Sequence, residues 1–137
     1  MVDLFATYCS ANKRPDSGDL PAIDRYISDR IHGVYANAKS RGSQFAILSG
    51  RFGLLTPDHP IPDYDHLLQP SEIPSMVNQV AQTLNQWGTG LVRWHSVAFE
   101  MDPHVSRYSD VMRMAAEQNA IEFELELWEP TGMLGLV

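Results

Sequence analysis

Residues 45–68 read FAILSGRFGLLTPDHPIPDYDHLL, and two readings meet in them. The stretch from Gln44 to Leu48 is an apolar run of the length of a buried strand. It breaks at Ser49-Gly50, and roughly twenty residues rich in Gly, Pro, Asp and His follow, longer than most connections in a compact domain. Loops of that length are usually functional or disordered. Here Phe52, Leu54, Leu55, Ile61, Tyr64, Leu67 and Leu68 punctuate the segment. A disordered linker has no use for such anchors, so the active or binding surface is expected in this loop.

Working outward, Val2 to Tyr8 is apolar with β-branched and aromatic residues, which predicts a buried first strand. A helical pattern follows, with Ile23, Tyr26, Ile27, Ile31, Val34, Tyr35 and Ala38 spaced by three and four. Ser28-Asp29 is an internal cap if that helix starts late, and Gly42 is a helix stop. After the long loop, Ser71-Glu72 marks the start of a helix running to about Trp87, with Met76, Val77, Val80, Ala81 and Leu84 on one face and Gly88 at its end. Gly90 to Phe99 reads as a third strand. Asp102-Pro103 is an N-cap followed by a first-turn proline, opening a helix that carries Val105, Tyr108, Val111, Met112 and Ala115. From Ala120 to Trp128, Ile121, Phe123, Leu125 and Leu127 alternate with Glu122, Glu124 and Glu126. That is a half-exposed edge strand whose charges discourage foreign pairing.

Strand and helix alternate four times. The pattern predicts a single α/β domain over residues 1–137, a three-layer α/β/α sandwich with a mainly parallel four-stranded sheet. The direction of the last strand is left open, and residues 128–137 form a docking tail for the body or for a second subunit. Right-handed crossovers point the strands one way, so the segments after Cys9, Ser49 and Glu100 share one carboxyl edge, where open α/β sheets bind ligands.

The totals fit a soluble domain of 137 residues, 44% hydrophobic and 20% charged. A formal net charge of −7 makes general nucleic-acid binding unfavourable, because that surface needs a basic footprint. One phosphate needs only a few local donors. No run approaches the ~20 residues of a membrane span. The start MVDLFATYCS lacks a basic leader, and Cys9 is the lone cysteine. Both point to a reducing cytoplasm.

Three polar groups carry candidate chemistry. After the first strand, Cys9 is either a nucleophile or a buried small hydrophobe, while Ser10 and Lys13 suit anion or carbonyl binding. At the second strand exit, the amides and fixed charge of Ser49, Gly50, Arg51, Phe52 and Gly53 suit an oxyanion or phosphate; the alternative is a tight turn with Arg51 solvated or paired to Asp63 or Asp65. Asp63 and Asp65 flank Tyr64, and one of the two carboxylates is expected to face the cleft. It serves as a general base or hydrogen-bond acceptor, or else both scaffold the loop. His59 and His66 share no ligand spacing with a partner, so no metal is expected, nor any cofactor. At the third strand exit, Glu100 is the site candidate, because capping already explains Asp102. Trp94 and His95 are expected to pack.

The order Cys9-Ser10…Lys13, Tyr26-x-Ser28, Ile47-Leu48-Ser49-x-x-Phe52-Gly53-Leu54-Leu55 and Pro57…Ile61-x-x-Tyr64-Asp65 resembles a family of small bacterial proteins of unknown function. That family has a C-S-x-x-K-like start, a Y-x-S element and an S-x-x-[YF]-G-L-L-x-P…I-x-x-Y-D loop. The likeness spans residues 4–68. It is similar also to a domain of archaeosine synthase related to the uracil-DNA-glycosylase-like α/β/α fold. The resemblance implies a nucleobase, nucleoside or nucleotide ligand in a pocket lined by Ser10, Lys13, Ser49, Arg51, Tyr64 and Asp65. Lys13-Arg14 stands where the family often has two lysines. The G-Q-D-P-Y motif of uracil-DNA glycosylases is absent, so base excision from DNA is not implied.

The expectation is therefore a small cytoplasmic enzyme, a hydrolase or transferase acting on a nucleobase, nucleoside or nucleotide at an N-glycosidic bond. Lys13 and Arg51 would bind phosphate or polarise the leaving base, and Asp65 or Asp63 would orient water. The alternatives are a non-catalytic nucleotide-binding module, or a structural protein that forms a homodimer through its last strand and tail and has no pocket at the strand exits.

Overall fold

The computed structural model describes residues 2–128. The expected docking tail lies outside them apart from Trp128. The main sheet is built from β1 (Val2–Tyr8), β3 (Gln44–Ser49), β4 (Gly53–Leu55), β6 (Thr89–Ser96) and β7 (Glu122–Leu127), in the order β4-β3-β1-β6-β7. Two-residue strands β2 (Leu20–Pro21) and β5 (Pro60–Ile61) pair separately. All main-sheet pairs are parallel except β3–β4, so β7 runs parallel to β6.

The α/β class holds, with five strands in place of four. The extra strand comes from the long loop itself. Gly53 adopts φ +78°, a conformation a side chain disfavours, and there the chain doubles back so that Leu54 and Leu55 pair with Leu48 and Ile47. Those leucines are buried rather than looped out.

Helices cover both faces. Leu4, Ala6, Ala46, Leu48, Val92 and Trp94 face α3 (Ile73–Gln86) and α4 (Val105–Gln118). Phe5, Phe45 and Ile47, on the opposite side of the pleat, face α1 (Ala22–Arg25) and α2 (Asp29–Ser40). Strands buried on both faces need no polar alternation, which is why they read as apolar runs. Trp94 is fully buried and satisfies its indole N–H by donating to Ser109 Oγ at 2.7 Å. His95 is also buried, stacked on Phe5, with Nε2 2.9 Å from the Glu126 carboxylate. β7 is the edge strand expected, and Leu125 and Leu127 stay exposed there beside the glutamates.

Several boundaries move. The helical pattern from Ile23 to Ala38 is broken: α1 is one turn, Tyr26 is extended and bridges Lys13, and Ser28 restarts the helix by accepting from the Ile31 amide at 3.1 Å. Periodicity ran through the break because Ile23, Tyr26, Ile31, Val34 and Ala38 pack into one cluster, whereas Ile27, read as part of the same stripe, is exposed. The capping box before α3 is formed by Gln69 with Glu72, across the short 3-10 turn Pro70–Glu72, and not by Ser71. β6 stops at Ser96, short of Phe99. Asp102 accepts from the His104 amide at 3.2 Å, one turn before α4 starts at Val105. No helix among the described residues is long and apolar enough to cross a membrane.

This topology sets one crevice apart. The chain leaves β1 toward β3 on one side and leaves β6 toward β7 on the other. The crevice between the carboxyl ends of β1 and β6 is therefore the switch point at which open α/β sheets bind ligands.

Candidate functional site

A cavity of about 290 Å³ opens at that switch point. Tyr8, Cys9, Ser10 and Lys13 line it after β1, Asp65, His66 and Leu67 from the long loop, and Asp102, His104 and Tyr108 from the approach to α4. Three segments far apart in sequence converge, as a common carboxyl edge requires.

Lys13 is held by stacked constraints. Its backbone bridges Tyr26, and its Nζ sits 4.5 Å from the centre of the Tyr64 ring and 5.8 Å from that of Tyr26. Cation–π contact of this kind places an ammonium without neutralising it. Both rings are buried, and their hydroxyls bond to each other. Tyr64 also bonds Ser49 Oγ at 2.8 Å. Ser49 Oγ already accepts from the amides of Arg51 and Phe52, at 3.1 and 3.0 Å, which uses both lone pairs. Its proton therefore goes to Tyr64. Burial, with the nearby Cys9 thiol adding to it, pushes the Tyr26 and Tyr64 hydroxyls well above the ordinary tyrosine range. Tyr108 is pushed up in the same way while accepting from the Leu68 amide at 3.0 Å.

These bonds revise the reading of residues 49–53. The Arg51 and Phe52 amides expected to hold an oxyanion are spent on Ser49, and Ser49 is wholly buried, so both are structural. A Cβ on Gly50 would stand 2.9 Å from the Leu68 nitrogen and from the Tyr108 hydroxyl; one on Gly53 would stand 2.4 Å from Gln79 Nε2. Both glycines serve close packing. Phe52 packs edge-on against Tyr64 at 5.0 Å. Arg51 is exposed over the Phe52 ring and lines a neighbouring polar cleft with Ser71, Glu72 and Ser75. That cleft shares only Asp65 and His66 with the cavity.

Tyr64 turns inward, and its two neighbours turn out together rather than to opposite sides, since residues two apart in extended chain share a face. Asp65 lines the cavity, whereas Asp63 lines only a shallower groove beside Asn12 and Lys13. Asp65 is exposed, so it is a solvated carboxylate rather than a desolvated one. Ser10 Oγ accepts from the Asn12 amide at 3.1 Å. Glu100 is exposed in the turn after β6 and outside the cavity, while Asp102, expected only to cap, lines it.

Arg30 and the Tyr8 and Tyr108 walls were not singled out as site residues in the sequence, and His66 was weighed there only as a metal ligand. Arg30 is 9% exposed. From α2 it crosses the tip of β1, donating to Thr7 Oγ, to the Tyr8 carbonyl at 2.7 Å and to the Cys9 carbonyl at 3.2 Å, with its guanidinium 3.5 Å from the Tyr8 ring centre. Burial lowers its pKa, and the charges at Tyr8, Cys9 and Asp102 oppose that. Its signal was its place one helical repeat before Val34 and two before Ala38, on the apolar stripe. His66 Nε2 lies 2.8 and 3.0 Å from the two Glu72 carboxylate oxygens. The Gln69 amide and His66 hold the Glu72 carboxyl below its usual range. No cluster among the described residues has the make-up of a metal site.

No family model, no curated protein and no solved structure matched this chain.

Proposed function

We propose that the carboxyl-edge cavity binds a nucleobase, nucleoside or nucleotide, and that the protein is an enzyme that cleaves or exchanges the N-glycosidic bond of that ligand. The observation that carries this reading is the cavity's make-up: Lys13 and Asp65 both line a tyrosine-walled space at the switch point. Its volume, near the lower end of the ~300–1,000 Å³ of small-molecule sites, suits a flat ring and a sugar. Tyr8 and Tyr108 form its aromatic wall. Lys13 polarises the departing base, and Asp65 accepts from the sugar or from an attacking water and stabilises positive charge at the sugar carbon. Pre-placed charges of this kind are an effective part of catalysis.

A second reading, binding without turnover, is favoured by the exposure of Asp65. The interaction-protein alternative required closed strand exits, and the cavity lies there.

The test is a thermal-shift screen of the full chain with nucleobases, nucleosides and nucleotides, followed by chromatography for released base. A native-state ligand raises the melting temperature by mass action. Binding with base release that is lost in Asp65→Asn supports the enzyme, and binding without release supports the module. No binding by any member of the panel refutes both.

A further inference from the structure

We infer that His66 is the general base of this cavity and that Glu72 is its positioning residue: Glu72 engages the Nε2–H of His66 and leaves Nδ1 to take a proton from a water attacking the sugar carbon. The inference rests on the N-glycosidic reading of the cavity and supplies the proton-transfer group that this reading needs.

Orientation singles out His66. Two imidazoles line the cavity, those of His66 and His104, and imidazole is the side chain that most often gives and takes protons near neutral pH. His104 is exposed, and it meets Asp102 through its backbone amide, not through its ring. The His66 ring is held, with Nε2 2.8 and 3.0 Å from the two Glu72 oxygens. Glu72 is itself fixed, because its Oε1 accepts from the Gln69 amide at 2.8 Å in the capping box before α3. Those two partners favour the ionised form of Glu72. A carboxylate only accepts, so the hydrogen sits on Nε2 and the lone pair of the neutral ring on Nδ1. Among the described residues Nδ1 has no hydrogen-bond partner. A capping box needs only the carboxylate and the amide, and it has no use for an imidazole.

Position agrees with orientation. His66 lines both the cavity and the neighbouring polar cleft, whereas Glu72 lines only the cleft. The ring therefore stands in the wall between the two, with its orienting carboxylate outside the cavity. A base held by a third group in this way is the recurring arrangement for activating a nucleophile. The charged and titratable groups around His66 are Asp65 beside it, Arg51 in the cleft, and Lys13, Asp102 and His104 in the cavity. In the reaction, the water oxygen bonds the anomeric carbon as the C–N bond breaks, and the electron pair of that bond stays on the base nitrogen. One water proton goes to His66 Nδ1. The departing nitrogen takes a proton from the Lys13 ammonium, and exchange with solvent returns both side chains to their starting forms. Asp65 is left to bind the sugar and to face its positive charge.

The experiment follows binding of adenosine, guanosine, cytidine and uridine to the full chain by thermal shift, and base release from each by chromatography, over about pH 5 to 9. Long-range proton–nitrogen NMR spectra of the histidine rings accompany it. His66 should show the Nε2–H tautomer, and release should fall at the acid end as Nδ1 takes up a proton. His66→Ala should lose about a hundredfold or more of the rate, and added imidazole should restore part of it, a rescue that a purely structural role would not give. Glu72→Gln still accepts from the Gln69 amide; it should mix the two tautomers of His66 and cost roughly tenfold or more in rate. If His66→Ala fails to fold, the parent spectrum and Glu72→Gln decide. An Nδ1–H tautomer in the parent chain, or full turnover in His66→Ala, overturns the inference and leaves the enzyme reading standing. Binding by the parent without release of base overturns it in favour of binding without turnover. No binding of any of the four overturns the inference and the reading beneath it.

Discussion

Arg25 is wholly buried, and among the described residues no carboxylate pairs with it. Its Nη1 donates to the carbonyls of Arg14 and Asp16 at 2.8 and 2.9 Å, and its Nη2 to those of Gly18 and Ile61. One side chain thus ties the loop after β1 to the loop before α3, and Lys13 stands on the first of these. Replacing Arg25 by Met keeps much of the stem and removes all four bonds. At about 1.5 kcal/mol for each charge-assisted bond the gross loss is ~6 kcal/mol. Relief of the guanidinium's desolvation returns a few kcal/mol, and water reaches the carbonyls left half-buried. A net destabilisation of about 2–4 kcal/mol remains. The unfolding entropy of a chain this long, ~0.3 kcal/mol/K, converts that to a melting temperature lower by about 7–14 °C. Arg25→Lys should lose most of the same amount, since one nitrogen cannot span four carbonyls. Thermal unfolding measures the loss. Hydrogen exchange should show residues 13–18 opening before the sheet. A melting temperature within ~2 °C of the parent, with exchange in that loop unchanged, would refute the reasoning.

Ser49→Ala leaves two amides and the Tyr64 hydroxyl without their shared partner, so urea unfolding should show a loss of about 2–3 kcal/mol; a near-neutral result would mean that the turn re-pairs by itself. Gly33→Ala puts a methyl 2.3 Å from the Trp128 ring, and the indole NMR signal of Trp128 should shift while that of Trp94 stays fixed. The hydroxyls of Tyr26, Tyr64 and Tyr108 are raised by burial, so their contribution to stability is full below the unfolded value near 10 and is lost as pH climbs above it. Absorbance at 295 nm should show these three ionising only together with alkaline unfolding; their free titration near pH 10 in the folded protein would contradict the burial.

The strands were legible where sequence pattern and environment coincide. Gln44–Ser49 and Val2–Tyr8 are apolar throughout because both faces are covered, and Glu122–Leu127 alternates because it lies at the edge. Leu54 and Leu55 were read as loop anchors, since a three-residue strand is too short to show a period; Gly53 turns it and β3 pairs with it. The convergence of the segments after β1, β3 and β6 was legible, whereas the choice between Asp63 and Asp65 was left open and only the structure puts Asp65 at the cavity. Of the residues named from the sequence, Cys9, Ser10, Lys13 and Asp65 line the cavity. Glu100 and Arg51 have the chemistry and lie outside the cavity, whereas Asp102 and His104 lie within it.

The sequence by itself determined the class of fold, the order of its main strands and helices and the edge at which the cavity lies. Those follow from periodicity, chain breaks and the handedness of crossovers, all of which are local or nearly so. Only the tertiary structure decided the direction of β7, the fifth strand, the spending of the Ser49 turn on its own backbone and the two buried arginines that hold the strand exits. Each of these depends on a partner distant in sequence: Glu126 beside His95, Leu55 beside Ile47, Tyr64 beside Ser49, Ile61 beside Arg25. A hydrogen-bond donor or a buried charge is defined by what it meets, and a single chain read in order does not say what meets it.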